Sequence, residues 1–174
     1  MLRALERRAQ PARTQGYLPM NLGDLIAADG VIPQLRAKDK KSALLELSQR
    51  AAEVTKTEAR VIHEALIQRE NLGSTGLGRG IAIPHVKLRQ LKSISCLFAR
   101  LETPIAFDSL DNEPVDLIFV LLAPEHASGD HLKALARISR LLRDSSAMER
   151  LRTARDSAAL LAILTEKATT SHAA

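Results

Sequence analysis

A single cysteine, Cys96, is all the thiol chemistry this 174-residue chain carries. An intramolecular disulfide and a Cys-rich metal site are thereby excluded. Its apolar surroundings, ISCLF, mark it as a small buried hydrophobe. Aromatic residues make up only 2% and tryptophan is absent, so the core has to be built from Leu, Ile, Val and Ala. The same scarcity argues against a nucleic-acid surface, which needs exposed rings for base stacking. No apolar run approaches the roughly 18 residues that span a bilayer. The N-terminus has arginines but no apolar segment of the kind a secretory signal needs. Membrane insertion is not expected, and the chain reads as cytoplasmic.

Positive charge is present but uneven. The net charge is +5, and Arg3, Arg7, Arg8 and Arg13 against Glu6 place +3 of it in the first twenty residues. The remainder is close to neutral, so there is no basic footprint for nucleic acid. Residues 1–19 read as a disordered basic extension, because the first patterned segment opens at Met20. The rest of the chain, with no internal repeat or low-complexity block, fits one domain with a real core.

After a short apolar piece around Leu22–Ala28 and an extended VIPQL, Asp39 can cap a helix from Lys40 to about Thr55. Its Leu44, Leu47, Ala51 and Val54 recur at helical spacing. Thr57 can cap a second helix running to about Glu70, with Ile62, Ala65, Leu66 and Arg69 on one face. The glycine-rich NLGSTGLGRG follows, then a short strand, Ile81–Ile83, which stops at Pro84. Ser93–Leu101 and Val115–Leu122 read as buried strands. Ser128 can cap a helix to about Arg143 with His131, Leu135, Ile138 and Leu142 inward. Ser146 and Glu149 form a capping-box pattern, and Asp156 caps a last helix to about Lys167. Interleaved strands and helices predict a single α/β domain, a mixed parallel and antiparallel sheet sandwiched between helices on both faces.

Familiar catalytic signatures are missing. There is no GxSxG elbow, no Gly-Lys-Ser/Thr after the glycines and no HExxH; His126 and His131 stand five apart across a helix start. Of the five histidines, His172 lies in a polar tail and His63 sits off the apolar stripe of its helix. His85 is different: it follows a strand, a stiffening proline and a loop whose free N–H groups can face an anion. Neutral imidazole is nucleophilic near pH 7, its ordinary pKa being about 6.5. Phosphoryl transfer asks mainly for alignment and positive charge around the phosphate oxygens. His85 as nucleophile, His131 as donor and Arg69 as cation meet that need, with amides of the Gly73, Ser74, Thr75 and Gly76 loop adding dipoles. From pattern alone, a structural histidine beside a turn remains equally open.

RENLGSTGLGRGIAIPHVK (Arg69 to Lys87) resembles the signature of fructose–mannitol-type enzyme IIA domains of the phosphoenolpyruvate-dependent phosphotransferase system. The similarity continues in LETPIAFDSLDNEPVDLIFVLLAPE and HLKALARISRLLRD, and with the length it is most similar to the nitrogen-type, regulatory enzyme IIA. The resemblance implies a family domain over residues 20–167 and a flexible tail over 168–174. It implies that His85 is phosphorylated on its tele nitrogen, Nε2, that His131 assists and that Arg69 is the family's arginine, with no cofactor or metal. It implies an HPr-like protein as donor and regulatory partners such as potassium transport and sensor proteins, or alternatively a sugar-specific enzyme IIB as acceptor. The family commonly has glycine after the active histidine, where this chain has Val86; a β-branched residue there stiffens the chain and adds apolar bulk beside the site.

Overall fold

The two longest apolar stretches lie side by side at the centre of the fold. In the computed structural model, which describes residues 21–166, they form β5 (Ser95–Ile105) and β6 (Val115–Pro124), an antiparallel pair. Successive strand side chains point to opposite faces. Leu117, Phe119 and Leu121 therefore enter one core while Ile118, Val120 and Leu122 enter the other. In the same way Cys96 and Phe98 go one way and Leu97, Ala99 and Leu101 the other. A sheet buried on both faces has no polar side, which is why these runs lack alternation. Cys96 is fully enclosed, and burial pushes its thiol pKa up, leaving it unreactive.

The sheet order is β1-β5-β6-β3-β2, with β4 also on β6. Here β1 is Val31–Leu35, β2 Gly76–Gly78, β3 Ile81–Ala82 and β4 His85–Leu88. β1 runs parallel to β5, β3 and β4 run parallel to β6, and β2 is antiparallel to β3. One face is covered by α1 (Lys40–Thr55) and α2 (Ala59–Asn71), the other by α3 (Ser128–Leu142), α4 (Ser145–Thr153) and α5 (Ser157–Thr165). Two short 3-10 turns, Leu22–Asp24 and Ala28–Gly30, lead into β1. The mixed sheet between helical layers is the architecture expected from sequence. Each fully buried Leu, Ile or Phe contributes roughly 1.5–3 kcal/mol, well above what a solvent-screened exposed pair such as Arg60–Glu64 adds.

Several local expectations shift. Asp39 does cap α1, its Oδ1 accepting the Ser42 N–H at 2.7 Å. α2 begins at Ala59 with Glu58 as its N-cap, because Lys56 turns into the left-handed region and Thr57 belongs to that turn. Ser128 is the first residue of α3, not its cap, and Asp144 takes the capping role for α4 by accepting from Ala147 N. The glycine-rich segment is a hairpin: β2 and β3 are joined by Arg79–Gly80, both with positive φ, as a two-residue hairpin turn requires. β4 is a further strand: the sequence pattern stops the Ile81–Ile83 strand at Pro84 and predicts none over His85–Leu88. The expectations for residues 1–19, for the 168–174 tail and for His172 lie outside the described residues.

One buried-edge contact holds the sheet to the α4–α5 corner. Arg100 of β5 donates through Nη1 to the carbonyls of Leu151, Arg152 and Ala154 and through Nε to Pro33. These include the last carbonyls of α4, which no intrahelical N–H reaches. Replacing Arg100 by Met is expected to lower the unfolding free energy by roughly 2–3 kcal/mol, measured by urea denaturation, with a Lys replacement recovering less than half.

Candidate functional site

β3 and β4 are one strand with a break. Ile81, Ala82, His85, Val86, Lys87 and Leu88 oppose Leu117, Ile118, Leu121, Leu122, Ala123 and Pro124 in a constant register along β6. The break is Ile83–Pro84, where proline has no N–H to give, although its carbonyl still accepts Leu121 N at 2.9 Å. Ile81 and Ile83 face the α3–α5 core, so His85 and Lys87, on the same parity, emerge on that side. Val86 points the other way: it is buried with Ala82 and Leu88 against α1 and α2. Most of the bulk of valine after the histidine is therefore taken up by the core, and what remains lines the cleft beside His85.

His85 Nδ1 lies 2.8 Å from the carbonyl oxygen of Ile83. A carbonyl only accepts, so in the neutral ring Nδ1 carries the proton and Nε2 keeps its lone pair. The ring borders an open cleft of about 580 Å³ lined also by Arg69, Gln68, Leu72, Lys87 and His131. His131, in the first turn of α3, is buried, with its ring centroid 5.6 Å from that of His85. Its Nε2 has no hydrogen-bond partner among the described residues. Arg69, in the last turn of α2, donates to the Gly73 carbonyl at 3.0 Å, which leaves most of its guanidinium donors available to the cleft. Lys87 donates to Ser128 Oγ at 3.1 Å.

Burial pushes the pKa of His131 down, and the charges of His85 and Lys87 add to that. A histidine whose folded pKa is depressed contributes stability above its unfolded pKa and loses it as pH falls through the folded value. Wild-type unfolding free energy is therefore expected to drop more between pH 7.5 and 5 than that of His131→Asn, which cannot titrate. Urea titrations of both proteins at the two pH values check this; parallel curves would show that His131 keeps its ordinary pKa.

The three side chains singled out by sequence, His85, His131 and Arg69, thus share one cleft. Gly73, Ser74, Thr75 and Gly76 do not line it. Their groups are engaged behind His85: Gly73 N with Glu70 O, Thr75 N with the Glu70 carboxylate, and Gly76 N with Ser74 Oγ, which itself donates to Phe107 O. Lys87 and Glu70 were missed. Lys87 has a readable signal, the same strand parity as His85, but only if the strand is carried past Pro84. Glu70 has none, because a helix-terminal glutamate reads as solvated.

The sequence profile of the family described as "Phosphoenolpyruvate-dependent sugar phosphotransferase system, EIIA 2" matches residues 24–167. The chain belongs to this family. As an EIIA domain it is 52% identical over 145 residues to a nitrogen regulatory protein of Bradyrhizobium diazoefficiens, covering 83% of this chain and 95% of that one. The nitrogen regulatory protein of Escherichia coli is 38% identical over 155 residues, with 88% and 94% covered. Among solved structures, nitrogen regulatory protein IIA-Ntr of Neisseria meningitidis superposes with a TM-score of 0.79 at 34% identity, over 83% of this chain and 99% of that one. No helix among the described residues of this EIIA domain is long and apolar enough to cross a membrane.

Proposed function

We propose that this EIIA domain is a regulatory phosphocarrier of the nitrogen branch, receiving a phosphoryl group on His85 Nε2 from an HPr-like protein in the cytoplasm. The observation that carries the reading is the Nδ1–Ile83 hydrogen bond, which leaves Nε2 as the free nucleophile beside His131 and Arg69. The Nε2 lone pair forms a new N–P bond as the N–P bond of the donor phosphohistidine breaks, and that electron pair returns to the donor ring. The proton stays on Nδ1 throughout, donated in a hydrogen bond to Ile83 O. Arg69 and Lys87 neutralise charge on the phosphoryl oxygens, and His131 supplies an N–H donor from a buried ring. Gly73, Ser74, Thr75 and Gly76 support the site through the backbone behind His85.

The rim favours a protein over a small substrate. Leu72 is 86% exposed at the cleft and Leu132, next to His131, is 67% exposed. Exposed leucines around a polar centre suit a protein partner. Phosphorylation places a dianion on this apolar surface, so partners that bind one charge state reject the other. Similarity to nitrogen regulatory proteins supports regulation as the output, with potassium transport and sensor proteins as the expected class of target.

The test is to incubate the protein with phosphoenolpyruvate, enzyme I and the HPr-like carrier and to record intact mass. One acid-labile phosphoryl group, located at Nε2 by phosphorus and nitrogen NMR, is expected. No gain beside a control enzyme IIA that is labelled would sink the reading. Rapid onward transfer to a sugar-specific enzyme IIB would place the protein in carbohydrate uptake instead of regulation.

A further inference from the structure

Glu70 does not line the cleft, yet it is 8% exposed and its carboxylate is fully engaged. Oε1 accepts the Thr75 N–H at 2.8 Å and pairs with Lys40 Nζ at 2.9 Å, while Oε2 accepts the Thr75 hydroxyl at 2.6 Å. Lys40 is itself anchored, donating to Phe107 O and to Asp108 and lying over the Phe107 ring. A buried carboxylate with three partners is a rigid fixture, and here it fixes one residue, Thr75.

Thr75 passes that rigidity to the histidine. Its carbonyl accepts Ile83 N at 3.0 Å, and Ile83 O accepts the Nδ1 proton of His85. In an extended residue the N–H and C=O point to the same side. Holding Ile83 N on Thr75 therefore aims Ile83 O away from β6, where the His85 ring meets it. Proline at 84 has no N–H, so within the strand break the Ile83 amide is the one backbone donor that sets this orientation.

We propose that Glu70, held by Lys40, is a positioning residue that acts through Thr75 and Ile83 to keep the His85 proton on Nδ1 and Nε2 free. Its consequence for transfer rests on the phosphocarrier reading; its effect on the tautomer does not. Pairing of β4 with β6 is independent of this chain of contacts, so the strand stays in place when Glu70 is changed while the ring loses its partner.

The experiment compares wild type, Glu70→Gln and Thr75→Val, all labelled with nitrogen-15 histidine. Two-bond proton–nitrogen spectra at pH 8 report the His85 tautomer in the unphosphorylated protein. Wild type is expected to hold the proton on Nδ1, and Glu70→Gln to show a mixture of both tautomers. With the HPr-like carrier, kcat is expected to fall about tenfold while the KM for the carrier is unchanged, because Glu70 is not on the docking surface. A folded Glu70→Gln protein with the wild-type tautomer and kcat would overturn the proposal. If that variant does not unfold cooperatively, Thr75→Val, which removes only the hydroxyl contact, decides by the same two measurements. A tautomer shift in a protein that the carrier never phosphorylates would uphold the positioning role while removing the phosphocarrier reading.

Discussion

His85→Gln takes up no phosphoryl group under conditions that label the wild type completely, whereas His131→Ala is still labelled but about 10²–10³-fold more slowly. The glutamine side chain fits the space but has no nucleophilic lone pair, its nitrogen being conjugated with its carbonyl. The other side chains lining the cleft offer no equivalent group: Arg69 and Lys87 are cations, and His131 is buried. His131 has a different task. Its lowered pKa keeps the ring neutral near pH 7, and on the proposed phosphocarrier reading its Nε2, without a partner among the described residues, takes a phosphoryl oxygen as its partner. A buried polar group without a partner costs about 1–3 kcal/mol. Recovering that energy in the transition state is differential binding of the kind that accelerates chemistry. Intact mass and quench-flow rates for the two variants separate acceptor from assistant. Label on His85→Gln would make His131 the acceptor.

Gly80→Val is expected to lower the unfolding free energy by about 4 kcal/mol, a large part of the 5–15 kcal/mol typical of a domain. Two costs act together. Gly80 has φ +79°, where a β-branched residue costs about 1–3 kcal/mol. An added Cβ would also sit 2.7 Å from Asp116 Oδ1 and 2.8 Å from Arg152 Nη2, and overpacking of that kind costs about 1–3 kcal/mol more. The same Arg152 binds both oxygens of Asp116 and the Arg79 carbonyl, so the clash falls on the contacts that close the hairpin. Gly80 O also accepts Asp116 N and Leu117 N, setting the start of the β3–β6 register four residues before Pro84. A shift there reaches His85, so the phosphorylation rate should fall in any variant that still folds. Thermal and urea unfolding measure the stability; a loss under 1 kcal/mol would mean that the hairpin relaxes without strain.

Most of the elements were legible because their signals are local. Asp39 and Asp156 cap the helices expected of them, both carboxylates accepting the N–H three residues on. The spacing of Leu44, Leu47, Ala51 and Val54 and of His131, Leu135, Ile138 and Leu142 marks the inward helix faces; six of these are buried, and Val54 and Leu135 are half-buried against the same cores. The reading weakened where a local rule met a tertiary contact. Proline ended the strand in the sequence reading, but β6 accepts a proline-interrupted neighbour because Pro84 still offers its carbonyl. Four glycines read as a loop with free amides, yet they build a hairpin whose Gly73, Thr75 and Gly76 amides already have partners.

The sequence alone determined the fold class, the two-sided burial of β5 and β6 and the motif residues His85, His131 and Arg69, because periodicity, caps and motif are all written in neighbouring residues. Only the tertiary structure decided which ring nitrogen of His85 is free, which face Val86 takes and what Glu70 holds. Those depend on partners brought together from distant parts of the chain: Lys40 from α1, Phe107 beyond β5 and His131 from α3. A hydrogen bond is set by distances and angles of a few ångströms that no one-dimensional pattern encodes.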